Sequence, residues 1–169
     1  MAYADLINTE TEKLVFEEQF ETSLNIARRE GWHGALLEVE LTPKMEAAGP
    51  LDEEELLELA RELGARIRKV VRGEDLYLRL EPHRYLVWLQ KAVADQLDRI
   101  ARRLVEELEM PVGGQMYDVR IGISLYPFDG GSLERLQHAC SQALAQARAR
   151  NKTVQIFNPE GEEAGDSRG

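Results

Sequence analysis

With 169 residues and a hydrophobic content of 43%, the chain is long enough for one domain with its own core, and a charged fraction of 31% is ordinary for a globular protein in water. The net charge of −10 excludes general DNA or RNA binding, which needs an extended basic surface, but allows a small anionic ligand where arginines cluster. A single cysteine, Cys140, excludes an internal disulfide and fits a reducing cytoplasm, and no apolar stretch is long enough to insert in a membrane.

The first predicted element is an amphipathic helix over residues 9–29, with Phe16, Phe20, Leu24 and Ala27 at steps of three and four. Thr9 is its expected N-cap and Gly31 lies just past its end. Residues 35–41 read as a mostly apolar strand. A second helix spans 51–71, started near Pro50 or Asp52, striped by Leu56, Leu59, Leu63, Ile67, Val70 and Val71, and stopped by Gly73. Two short strands, 76–80 and 85–89, flank a tight turn. A third helix follows over 92–109, with Val93, Leu97, Ile100, Leu104 and Leu108 facing inward, then a strand over 117–126. The last helix, 133–150, puts Cys140 in its apolar stripe, which makes it a buried, inert thiol. A short strand at 153–157 precedes a Glu/Gly/Asp-rich tail, 158–169, expected to be disordered. Helices alternating with strands, plus one hairpin, predict an α/β (α+β) domain over residues 1–157: a mixed, mainly antiparallel sheet of about five strands flanked by helices.

The turn, Glu81-Pro82-His83-Arg84-Tyr85, is the most informative segment. Several stretches around it resemble the GGDEF family, the bacterial diguanylate cyclases. Asp5, Ile7, Lys13 and Phe16 follow the family's opening motif, and residues 35–42 follow its first strand without gaps. Ile121-Gly122-Ile123-Ser124-Leu125-Tyr126-Pro127 and Ala143-Leu144 with Ala147-Arg148 follow its last long strand and helix. The resemblance covers residues 5 to 157 and places Glu81 to Tyr85 on the family signature.

That placement implies a lost activity. The cyclase reaction joins two GTP molecules and needs divalent metal held by carboxylates. The resemblance puts one ligand at Glu40, which keeps its carboxylate, and the other at His83, which does not. Arg84 reverses a normally acidic position, and an imidazole with a lone Glu is a poor magnesium site. Glu81 and Pro82 replace two glycines, bringing a carboxylate toward the phosphates and removing an N–H donor. Pro82 fits the second position of a type I turn. The guanine-reading positions fall on Ala48 and Leu57, which cannot hydrogen-bond a base. Arg148 and Lys152 match phosphate contacts. On the residues alone, Glu40 reads as a leftover strand-end carboxylate and His83 as a solvated turn residue, so neither catalytic residues nor a metal, magnesium included, are expected.

A second family site, which binds cyclic di-GMP, is marked by R-x-x-D before the signature. Arg72-Gly73-Glu74-Asp75 occupies that place, and the family's further arginine falls on Arg103, with Arg68 and Arg99 one turn earlier in their helices. Arginine forks suit phosphate or the guanine Hoogsteen edge, and an Asp accepts from guanine N–H groups. The same four residues also read as a helix-end cap with a surface ion pair. The resemblance thus implies an inactive receptor for cyclic di-GMP, with a protein partner or a homodimer as its output. The alternative is a protein-interaction scaffold without nucleotide, using Trp32, Trp88 or Tyr126, each of which also reads as core; residual GTP binding ranks last.

Overall fold

The computed structural model describes residues 10–44 and 51–160. Helix α1 (Glu10–Glu30) leads through Gly31, whose φ of 70° only glycine takes readily, into β1 (Gly34–Pro43). Helix α2 (Glu53–Val70), the hairpin of β2 (Leu76–Glu81) and β3 (Arg84–Leu89), and helix α3 (Ala94–Leu108) follow. Then come β4 (Tyr117–Tyr126), helix α4 (Leu133–Ala149) and β5 (Val154–Ile156). The strands form one sheet in the order β2-β3-β1-β4-β5, antiparallel except for β4 and β5, which α4 joins as a parallel crossover. The expected α/β fold with a five-stranded, mainly antiparallel sheet is the observed one.

Strand β1 is central, paired to β3 on one side and β4 on the other. Both faces are covered, which explains why its first six residues are buried without the polar alternation of a half-exposed strand. Leu36 points to α1 and α4, among Phe16, Phe20, Leu24, Trp88 and Cys140. Leu37 and Val39 point to α2 and α3, among Leu59, Leu63, Ile67 and Leu104. Cys140 is fully buried, and burial raises its thiol pKa, so it is the inert core thiol expected. Trp88 and Tyr126 are core, and Trp32 is half-buried under the Lys91 ammonium, 4.9 Å from its ring.

Three details depart from the sequence reading, and one choice it left open, the start of α2, is decided. Val93 is 52% exposed and stands at the N-cap position of α3, which starts at Ala94, without a side-chain capping bond. Asp52 starts α2 through a full capping box with Glu55. Gly73 does not stop α2 by left-handed backbone: the helix ends at Val70, with Val71 extended. Asn158 is not part of a loose tail, since its N–H donates to Gln146 Oε1 at 3.1 Å and its carbonyl accepts from Gln146 Nε2 at 2.8 Å. Thr9, Pro50, Ala48, the opening motif from Asp5 and the tail beyond Glu160 lie outside the described residues. No helix among the described residues is long and apolar enough to cross a membrane.

Gly122 of β4 lies opposite Glu38 of β1, and a Cβ there would collide with the backbone of α4 at Cys140 and Leu144. Gly122→Ala is therefore expected to push α4 off the sheet and cost about 1–3 kcal/mol of stability; an unchanged urea midpoint would contradict this.

Candidate functional site

The hairpin turn sits against the end of β1. Glu81 pairs with Arg84, leaving Pro82 and His83 as the turn's two central residues, and the ladder register shifts between Arg79 and Glu81. No residue of the turn takes a positive φ. Leu41 N–H donates to His83 O at 2.8 Å, so the turn is tied to β1, and Glu40 lies directly across from Arg84.

Glu40 is a neutralised carboxylate. Its Oε1 accepts from Arg148 Nε at 3.2 Å, its Oε2 accepts from Arg148 Nη2, and Arg84 Nη2 stands 3.8 Å from Oε2. The pairing holds the Arg148 guanidinium above its ordinary pKa. Sequence reasoning missed Glu38, two residues earlier on the same face. It is 3% exposed, accepts from Ser141 Oγ at 2.6 Å and lies 3.6 Å from Arg84 Nε. Arg84 thus bridges two carboxylates that β1 places side by side. The signal was the i, i+2 spacing of Glu38 and Glu40 in an otherwise apolar strand. Glu81 is exposed, and Leu57 is half-buried on α2.

His83 is not a solvated turn residue. Its ring lies tilted against Tyr117 with centroids 5.3 Å apart, and Nε2 is buried with no hydrogen-bond partner among the described residues. Burial first, and Arg79 second, lower its pKa. Arg79, only 5% exposed, stands over the Tyr85 ring at 5.9 Å, and burial pushes the Tyr85 phenol up to about 12. Among the described residues no three His, Cys, Asp or Glu side chains gather as a metal ligand set.

The second cluster lies at the other end of the hairpin. Asp75 N–H donates to Arg72 O at 3.0 Å while Arg72 N–H donates to Asp75 Oδ2 at 2.9 Å, so residues 72–75 form a turn closed from both sides. Arg68 Nη1 and Nη2 donate to the carbonyls of Arg72 at 3.2 Å and Asp75 at 2.7 Å, which finishes the end of α2. Arg72 Nη2 donates to Lys91 O at 2.7 Å, and its Nε stands 4.0 Å from Asp75 Oδ2; 40% of the side chain remains exposed. Asp75 is 1% exposed, and burial raises its pKa against the opposing backbone donors. Arg99 and Arg103 are exposed on α3, and no hydrogen bond or ion pair joins them to this cluster. Arg103 lies one turn before Glu107, which holds Lys69 of α2 at 3.3 Å, so it is on the flank of α3 that runs beside α2.

The profile of the family described as "Diguanylate cyclase, GGDEF domain" matches residues 53–153, more than half of the chain. The chain belongs to the GGDEF family. Solved GGDEF structures share its fold. The GGDEF domain of Pseudomonas aeruginosa TpbB, or YfiN, superposes with a TM-score of 0.74 at 20% identity, covering 90% of this chain and 93% of that one. An EAL/GGDEF domain protein from M. capsulatus gives a TM-score of 0.67 at 26% identity, with 86% and 97% covered. The GGDEF domain of DgcB from Caulobacter crescentus, solved in complex with c-di-GMP, gives 0.66 at 11% identity, with 85% and 86% covered. The first and third likenesses, below 25% identity, carry the fold alone. No curated protein matches the chain in sequence.

His83 gives this GGDEF domain a pH dependence with a definite sign. A folded-state pKa below the ordinary 6.5 means that the neutral ring stabilises the fold above that value, and that this contribution is lost as pH falls through it toward the folded pKa. From pH 7.5 to 5.5 the wild-type chain should lose more stability than His83→Gln, a window defined by the ordinary imidazole value. Parallel urea-midpoint profiles for the two proteins would refute this.

Proposed function

We propose that this GGDEF domain makes no cyclic di-GMP and acts in the cytoplasm as a receptor for it, through Arg72, Asp75 and Arg103, with Arg68 and Arg99 adding local positive charge. The single observation that carries the proposal is the state of Glu40. Its carboxylate is the one acidic group left at the family's metal position, and two arginines already neutralise it. Magnesium needs several hard oxygen ligands in near-octahedral geometry. Glu40 in that ion pair, beside a desolvated imidazole at His83, does not fit it.

The Arg72–Asp75 turn supports the receptor half of the reading in a different way. It holds an arginine fork with exposed surface beside a buried carboxylate, the pair that reads a guanine or a phosphate in bidentate fashion. Recognition by Asp75 competes with the backbone N–H groups of Arg72 and Gln90, which its two oxygens already accept, and recognition by the Arg72 fork requires it to release Lys91 O. In this reading Arg103, exposed on α3, supplies the second fork. That DgcB holds c-di-GMP on the same fold makes the ligand chemically reasonable for this chain.

Calorimetry with cyclic di-GMP should give binding at about micromolar or tighter affinity, weakened about tenfold or more in Arg72→Ala and in Arg103→Ala, both of which leave Asp75 and its backbone donors intact. GTP with magnesium or manganese should give no cyclic di-GMP. Absence of binding heat at high ligand concentration, or turnover of GTP, would overturn the reading.

A further inference from the structure

The carboxylate of Asp75 reaches beyond its own turn. Its Oδ1 accepts from the backbone N–H of Gln90 at 3.3 Å. Gln90 is 8% exposed, and its Nε2 donates to Ser23 O in the middle of α1 at 3.2 Å. The hydroxyl of the same Ser23 accepts from Trp88 Nε1 at 2.8 Å. Trp88 is fully buried and packs on Phe20 of α1 with ring centroids 4.7 Å apart. One line of hydrogen bonds therefore runs from Asp75 through Gln90 to Ser23 and Trp88.

The physical constraint on this line is burial. A side-chain amide away from water is costly unless it is hydrogen-bonded, so Gln90 cannot follow a moving Asp75 without renegotiating its bond to α1. Ser23 is the one polar residue among the buried positions of that helix, otherwise Phe16, Phe20, Leu24 and Ala27. Of the two backbone donors to Asp75, Gln90 is the more distant, at 3.3 Å against 2.9 Å from Arg72. A ligand N–H that competes for the carboxylate acts first on that longer bond.

We propose that Gln90 is a positioning residue that couples the Arg72–Asp75 site to α1, so that ligand on Asp75 changes the Gln90–Ser23 contact and the surroundings of Trp88. This rests on the reading of Arg72 and Asp75 as ligand contacts. The shift follows from a difference in contact between the free and bound states at one carboxylate, transmitted through one buried residue whose backbone N–H holds Asp75 and whose side-chain amide holds α1.

The test titrates cyclic di-GMP into the full chain carrying Trp32→Phe, which leaves Trp88 as the sole tryptophan and keeps an aromatic ring for Lys91. Heat and tryptophan emission are followed on the same samples. Emission should change with the midpoint of the heat, and amide exchange in α1 around Ser23 and Leu24 should change about threefold or more on binding. Gln90→Met keeps the backbone donor and the side-chain length but removes Nε2. It should bind within about fivefold of the parent and lose at least about half of the emission change. An undiminished response in Gln90→Met, or heat without any change in Trp88 emission and α1 exchange, overturns the coupling and leaves the site standing. No heat in the parent chain removes the site and the coupling together. Should Gln90→Met fail to fold, the exchange measurement on the parent chain decides by itself.

Discussion

Strand β1 is bonded on both edges and covered on both faces, and the rest of the molecule is arranged around that double burial. With β3 and β4 as its ladder partners, β1 has no polar outlet until it reaches the hairpin turn. Its apolar residues sort into two cores by parity: Leu36 joins the α1–α4 side, and Leu37 and Val39 join the α2–α3 side. Charges carried on such a strand have few options. Glu38 and Glu40 fall on one face, two residues apart, and each must find cations or donors because water is largely excluded. Arg84 across the ladder, and Arg148 and Ser141 from α4, are those partners.

This charge cluster is a consequence of packing as much as of chemistry. Helix α4 reaches Glu38 only because Gly122 presents no Cβ to the helix backbone. A buried ion pair is weak evidence for stability in itself, since desolvation consumes much of the Coulombic gain. Its effect is on what else can happen at this end of the sheet. Two guanidiniums, those of Arg84 and Arg148, already compensate the charge of Glu38 and Glu40.

The fold was legible in the sequence wherever the periodicity was long and the punctuation local. The stripes of α1, α2 and α4, the capping residue Asp52 and the ends of β4 all followed from spacing and residue type. What depended on the neighbours was not legible. Val93 fits the stripe of α3, yet it is the cap and half exposed, because a β-branched residue can sit in extended backbone just before a helix. His83 occupies a turn, where side chains are usually wet, but β1 and Tyr117 close over it. Glu38 passes as one polar residue within a mostly apolar strand and becomes a buried, paired carboxylate only in three dimensions. Asn158 reads as the start of a tail until Gln146 is found holding both of its backbone groups.

The Arg72–Asp75 turn shows why a spacing motif can carry two meanings at once. The three-residue step from Arg to Asp is what closes this turn, with Asp75 bonding the Arg72 amide and Arg68 taking the two carbonyls at the helix end. The geometry that finishes α2 also brings one guanidinium and one carboxylate within 4.0 Å. A ligand here must compete with structure already formed: the exposed Arg72 bond to Lys91 O contributes on the order of 1 kcal/mol, and the carboxylate of Asp75 is already held by two backbone donors. Only a ligand offering several charge-assisted contacts together offsets that loss, which a phosphate or a guanine edge does and a simple halide does not. The selectivity of the proposed site would therefore be set by the strength of the internal bonds that a ligand has to replace.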